Sequence, residues 1–206
     1  MKKGFTLPEI LITVTILGVV ASLTIPVLVS NYKSRSTALM LRKFYSNMKF
    51  AVEMYKKDER RDTLANVELS DGFFGENLST YMKTNTITDI NDSYKKAVMK
   101  DASCFTYKRI SNNEIVFYYA PNVIDCTNPQ NGNNQNFVPA DGKKVFRFTL
   151  DTSGPGEPVG FVSSTKDDAN SSRASLVTEC QSNKNSCTKL IELDGWRVMK
   201  DYPYKF

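Results

Sequence analysis

The chain has 206 residues, with 27 Lys and Arg against 22 Asp and Glu and no histidine. A formal charge of +5 is too mild to mark a dedicated nucleic-acid surface. The missing imidazole excludes Ser-His-Asp and Cys-His catalysis and any metal site built on histidine. With its apolar anchor set aside, the chain still holds enough residues for one globular domain of ordinary size.

The first element is that anchor. Only Met1, Lys2 and Lys3 precede Gly4-Phe5-Thr6-Leu7-Pro8-Glu9, and an apolar run from Ile10 to Ser30 follows. About 20 apolar residues at ~1.5 Å rise each span a ~30 Å hydrocarbon core. The leading lysines predict a cytoplasmic N-terminus, with the body of the protein across the membrane. An ordinary secretion signal carries its small-residue cleavage site behind a shorter apolar stretch. Here the small residue, Gly4, stands in front, so a cut after it would remove the basic leader and keep the helix. Glu9 is the one charge between Lys3 and Lys33. A carboxylate deep in lipid costs on the order of 2–3 kcal/mol, and such groups usually have a function. The plainer alternative, an uncleaved anchor or ordinary signal, has no use for it.

The order and spacing of the basic leader, Gly4, Phe5, Thr6-Leu7, Glu9, apolar helix and Pro26 resemble the type IV prepilin signal shared by type IV pilins and type II secretion pseudopilins. The resemblance is specific over residues 1–30 and loose beyond. It implies that a membrane aspartyl peptidase cuts between Gly4 and Phe5 and methylates the new N-terminal Phe5. It also implies that Glu9 pairs with the amine of a neighbouring subunit in a filament. Pro8 fits the first helical turn, where its missing N–H costs nothing. Gly18 and Pro26 bound the segment that can lose helicity in related filaments; a static kink is the other reading.

Beyond the anchor, Leu41, Phe44, Tyr45, Met48, Ala51, Val52 and Tyr55 fall at steps of three and four and form one stripe. One helix is therefore expected from about Pro8 to about Lys57, apolar all round in front and amphipathic behind. The charged residues at the head of 58–72 read as a solvated turn, and Phe73, Phe74, Leu78, Tyr81 and Met82 as a short amphipathic helix. Ser103–Ile110 and Glu114–Tyr119 read as strands around a Ser111-Asn112-Asn113 turn. Their aromatic residues, interleaved with Lys108 and Arg109, fit either nucleic-acid stacking or, more simply, core and cross-strand pairing. Residues 120–143 read as loop.

Lys144–Asp151 is a clearer strand, with Phe146, Phe148 and Leu150 alternating against Arg147 and Thr149. A Gly-Pro turn follows, then a short strand Val159–Ser163. This strand–turn–strand resembles the pilin-like domains that carry an Asp-x-x-Gly-Pro turn. Some pseudopilins bind calcium nearby. Asp151, Glu157, Asp167 and Asp168 are the oxygen ligands available here, without calcium-loop spacing, so a plain turn comes first. Lys166–Arg173 reads as polar and mobile, Ser175–Glu179 as a helical turn and Thr188–Leu193 as a packed segment ended by Gly195. Trp196 reads as a core anchor, with surface adhesion as the alternative.

Cys104, Cys126, Cys180 and Cys187 match neither a zinc ribbon nor a C-x-x-C motif. In an exported domain they read as disulfides. Three connectivities are open, and sequence proximity favours Cys104–Cys126 with Cys180–Cys187; free buried thiols are the alternative.

The fold class expected is α+β, a long N-terminal helix whose back half packs on a small antiparallel sheet. Residues 1–4 are the leader, 5–30 the membrane and filament-core helix, 31–57 its amphipathic continuation and 58–206 the head. The function expected is that of a non-enzymatic structural subunit of a type IV pilus or secretion pseudopilus. Its partners would be other pilin or pseudopilin subunits, the prepilin peptidase, a membrane assembly platform and the inner membrane. It would end in a periplasmic or extracellular filament, with no cofactor and no nucleic acid required. A minor pilin that binds DNA or a receptor, and an exported protein merely anchored by its helix, are the rival readings.

Overall fold

Apolar residues at helical spacing need a surface to cover them, and in the computed structural model of the chain one sheet provides it. The structure describes residues 6–91, 93–126, 138–152, 160–163 and 171–206. Helix α1 (Leu7–Asp58) is unbroken over 52 residues and runs through Gly18 and Pro26. Its back half buries Ala38, Leu41, Phe44, Met48, Ala51 and Val52, while Tyr45 and Tyr55 pack partly buried at the edge of the same core. The helix ends in a Schellman-type turn. The Arg61 N–H reaches the Lys56 carbonyl at 2.8 Å and Arg60 N–H the Lys57 carbonyl at 3.2 Å. Arg60 sits at φ 53°, a left-handed position that usually takes glycine.

Six strands follow, β1 (Thr84–Asn91), β2 (Tyr94–Met99), β3 (Cys104–Ser111), β4 (Glu114–Ala120), β5 (Phe146–Asp151) and β6 (Gly160–Val162). They pair antiparallel in sequence order, a simple meander. Register aligns Ala97, Phe105, Tyr119 and Phe146 in one row and Tyr107, Phe117 and Phe148 in the next. Alternation turns both rows toward α1. Phe44 is the hub. Its ring lies 5.2 Å from Phe105, 4.3 Å from Tyr119, 5.1 Å from Phe148 and 5.8 Å from Phe161, so one helical residue touches β3, β4, β5 and β6. Burying such a ring is worth about 1.5–3 kcal/mol, and each well-placed ring pair adds roughly 0.5–1.5 kcal/mol.

The opposite sheet face carries a second cluster of Cys104, Ala120, Cys126 and Val145. Cys104–Cys126 ties β3 to the short turn Val123–Cys126 there. Cys180–Cys187 joins α2 (Arg173–Ser182) to α3 (Cys187–Leu193) inside the main core. Both pairings are those that sequence proximity favours. Their closed loops, with separations of 22 and 7 residues, correspond to about 3 and about 2 kcal/mol in the chain-entropy account.

Several expectations need correction. Strands β1 and β2 fall in residues to which the sequence reading assigned no element. Beyond the expected turn the chain returns to the core, a docking that was not expected: Leu64, Val67 and Leu69 are buried, and the Leu69 N–H bonds the Asn112 carbonyl at 2.8 Å, holding the segment on the β3–β4 turn. The expected short amphipathic helix is two tight pieces, a π-helical turn Phe74–Leu78 and a 3-10 turn Ser79–Tyr81. Packing decides its shape, since the fully buried Phe74 ring sits 4.9 Å from Phe105 and 5.2 Å from Tyr107.

The turn expected at Ser175–Glu179 is a full helix, α2, with Ser172 Oγ accepting the Ser175 N–H at 3.2 Å. Arg173, read as part of a mobile stretch, opens that helix and forks onto Asp194 at 2.6 and 3.0 Å and Asp201 at 2.7 and 2.8 Å. Gly195 stops α3 as expected, at φ 68°, with the Trp196 N–H on the Ile191 carbonyl at 2.8 Å. Trp196 is half-buried against the core, 5.1 Å from the Tyr45 ring.

Candidate functional site

The start of α1 is built by local chemistry. Thr6 has extended backbone angles and serves as the N-cap, Leu7 and Pro8 form the first helical positions, and Glu9 is the third. The Thr6 backbone N–H donates to Glu9 Oε2 at 2.8 Å and its hydroxyl donates to the same oxygen at 2.7 Å. Such a reciprocal start satisfies donors that a helix leaves open. In the single chain, then, Glu9 is engaged by its own N-cap. Gly4 and Phe5, the expected processing residues, lie outside the described residues.

From Leu7 to Val29 the large apolar side chains are exposed, with Leu7 at 80% and Leu23 at 70%. The helix is long and apolar enough to cross a membrane. Its polar side chains are turned inward on the backbone. Thr13 donates to the Ile10 carbonyl at 2.8 Å, Thr15 to Leu11 at 2.7 Å, Ser22 to Val19 at 2.8 Å and Thr24 to Val20 at 3.0 Å. Hydroxyls satisfied in this way can face lipid without an open donor. The sequence reading counted these residues only as part of an apolar run. Gly18 has open space around it, and Pro26 brings no N–H to the Ser22 carbonyl one turn back.

The first 25 residues match the model of a prokaryotic N-terminal methylation motif, and residues 27–206 match that of a family of unknown function, DUF6613. The chain belongs to this DUF6613 family. No curated protein and no solved structure matches it. The N-terminal motif is the cleavage and methylation signature of type IV pilins and pseudopilins, which makes this DUF6613 protein a prepilin-peptidase substrate of that type. Its long apolar helix packed on an antiparallel sheet is the α+β layout consistent with a pilin fold, and helix and motif together fit anchoring in the inner membrane.

The head holds α1 by polar groups as well as apolar ones. Glu192 of α3 accepts hydrogen bonds from Ser163 and from Lys189 at 2.9 Å, and pairs with the Tyr45 hydroxyl of α1. Burial pushes the Glu192 carboxyl up, but those donors and the Lys189 charge outweigh it and hold the pKa below the usual carboxylate value. Burial, then the Glu192 charge, raises the Tyr45 phenol. On the other side of α1, Lys43 meets Asp101 at 2.6 Å. Burial pushes Asp101 up, while hydrogen bonds from Lys43 and Ser103 bring it below its ordinary value. These pairings join residues 58 and 147 positions apart, beyond any local signal in the sequence.

The aromatic residues considered for base stacking are otherwise used. Phe105, Tyr107, Phe117 and Tyr119 are buried in the core, and Lys108 sits over the Tyr94 ring at 5.0 Å within the same chain. Of the four oxygen donors considered for calcium, Asp151 is buried at the end of β5; Glu157, Asp167 and Asp168 lie outside the described residues. Among the described residues no group of three His, Cys, Asp or Glu is arranged to hold a metal ion.

Proposed function

We propose that this protein is a filament subunit, major or minor, of a type IV pilus or a type II secretion pseudopilus. In this reading the peptidase cuts between Gly4 and Phe5 and methylates the Phe5 amine. The subunit then waits in the inner membrane until an assembly platform moves it into a filament of like subunits in the periplasm or beyond. The observation that carries the reading is α1 itself: one unbroken helix, apolar and exposed around its front half, packed along one stripe behind, with a carboxylate at its first turn.

Glu9 is the register device in this reading. Cleavage creates a positive amine at Phe5, and in a filament core that amine and the Glu9 carboxylate both leave water. An isolated buried charge costs several kcal/mol, and a close hydrogen-bonded partner offsets much of it. A single axial offset between neighbours brings a Phe5 amine to a Glu9 carboxylate, so the pair selects register more than it adds stability. The Thr6 donors now on Glu9 hold the carboxylate until a neighbour's amine takes their place. Gly18 and Pro26 give the same segment its freedom to lose helicity on assembly.

Intact mass of the membrane-extracted chain tests the processing step. The expected product begins at N-methylated Phe5, and Gly4→Leu leaves the precursor intact. Retained Met1, or a cut near Ser30, would sink the reading. Glu9→Leu is expected to be cleaved and inserted normally but nearly absent from sheared filaments. Accumulation of unprocessed Glu9→Leu would instead make Glu9 a peptidase recognition residue.

A further inference from the structure

Where α1 leaves the apolar span it borders a cleft of about 480 Å³. Tyr32 and Lys33 line it from the helix, and Asn122, Asp125, Lys143 and Lys144 line it from the head. The apolar run ends at Ser30, so at ~1.5 Å per residue Tyr32 and Lys33 stand within the first ~5 Å beyond the hydrocarbon, the depth of the lipid headgroups. Both are exposed. An aromatic residue beside a lysine is the composition that membrane interfaces favour. On the head side, Ile124 is 68% exposed on the short turn that supplies Asp125 and follows Asn122, which adds an apolar residue to the lip.

The backbone that carries Lys143 and Lys144 is held in place. The Asp141 carboxylate accepts the backbone N–H groups of Lys143, Lys144 and Val145 at 2.9, 2.7 and 2.8 Å. Gly142 between them has φ 72°, and a Cβ there would lie 2.7 Å from the Cys187 sulfur and 2.9 Å from Tyr204. The loop is therefore pressed onto the C-terminal segment, and the Tyr202 hydroxyl bonds the Gly142 carbonyl. Lys144 bridges to Asp125 at 3.2 Å, and Lys33 from the helix and Lys143 from the head line the same cleft with no carboxylate paired to them among the described residues.

We propose that this cleft binds the phosphate of an anionic phospholipid headgroup in the leaflet from which α1 emerges. The proposal rests on reading the front half of α1 as a membrane span. A phosphate between Lys33 and Lys143 would complete two charge-assisted contacts and seat the head against the bilayer. The head of a waiting subunit would then have a fixed orientation, and drawing it into a filament would require giving up the lipid.

The test uses the full chain in nanodiscs of phosphatidylcholine alone or of equimolar phosphatidylcholine and phosphatidylglycerol. Hydrogen exchange at 122–126 and 143–145 is read together with the lipid retained by the protein in native mass spectrometry. Phosphatidylglycerol is expected to be retained preferentially and to slow exchange at both segments. Lys33→Glu with Lys143→Glu is expected to lower retention by about fivefold per lysine, and the matching Arg variants to keep it. Equal retention of both lipids, or retention unchanged by the two Glu substitutions, overturns the proposal. Equal slowing by inorganic phosphate in phosphatidylcholine discs would make the cleft a soluble-anion site and overturn the lipid assignment. Slowing that depends on protein concentration would assign it to a second copy of the chain and overturn it too. If the chain does not co-migrate with discs of either composition, the membrane-span reading itself fails, a result separate from failure of lipid preference.

Discussion

The two halves of α1 are one helix with two surroundings. In the front half Leu23 is 70% exposed; in the back half Leu41 is fully buried. Both halves belong to one continuous helix, whose hydrogen-bond ladder misses a bond only where Pro26 lacks an N–H. They differ in where polar residues fall. The front carries only Glu9 among charged groups and folds its hydroxyls onto its own carbonyls, so every face can meet lipid. The back keeps Arg42, Lys43, Lys49 and Glu53 off its stripe, so one face must meet protein. Helix propensity alone would not separate these cases; the distribution of charge around the helix does.

The largest expected effect breaks the back half. Phe44→Ala removes a ring shared by four strands and is expected to lower head stability by about 3–5 kcal/mol, read from thermal unfolding of the full chain in detergent. Leu17→Ala, the same kind of truncation in front, is expected to leave that transition within roughly 0.5 kcal/mol. Equal losses would mean that the front half is part of the folded core. The converse change attacks the front: Val19→Asp is expected to reduce membrane integration by an apparent cost of about 2.5–3.5 kcal/mol, while Phe50→Asp, on the exposed side of the back half, leaves integration unchanged. Alkali extraction of membranes reads both.

The polar anchors sharpen the contrast through pH. Glu192 and Asp101 have folded pKa values below their ordinary ones. Their contribution is therefore fully present above about pH 4, the unfolded carboxylate range, and is lost as pH falls through the folded values. Head stability is expected to drop in that acid window, with the drop reduced in Glu192→Gln. An unchanged acid profile in that variant would remove Glu192 from the account. The smallest effect is at the end of the helix: Arg60→Gly relieves a left-handed residue and is expected to raise stability by about 0.5–1 kcal/mol.

Much of this architecture was legible in the chain because the relevant signals are local. The 3.6-residue stripe from Leu41 to Tyr55, the alternation through Phe146, Phe148 and Leu150, and the aromatic hairpin around Asn112-Asn113 each carry their own period. Strands β1 and β2 do not. On β2 only Ala97 and Met99 are buried, and β1 is an edge strand whose Ile87 remains 38% exposed. A strand that buries so little writes almost no pattern into the sequence. The helix start at Thr6 to Glu9 carries its own signal in Pro8 and the Thr-x-x-Glu spacing, whereas the engagement of Glu9 by Thr6 shows only in the folded geometry. The Tyr45–Glu192 and Arg173–Asp194 pairings, like the lysines assembled around the membrane-proximal cleft, depend on the tertiary path.

The meander has a bearing on how the head comes to be folded. Sequential neighbours pair throughout, so most strands find their partner across a short loop that closes fast; β4 and β5, separated by residues 121–145, have the longest closure. Phe44 is the exception. It comes early in the chain, yet its ring is enclosed only when Phe161 of β6 arrives 117 residues later. For that interval the stripe of α1 is bare, the condition under which partly folded chains aggregate. The same chain therefore combines quickly formed hairpins with a helix face that waits for its last strand, and that wait is the period in which a chaperone would have something to hold.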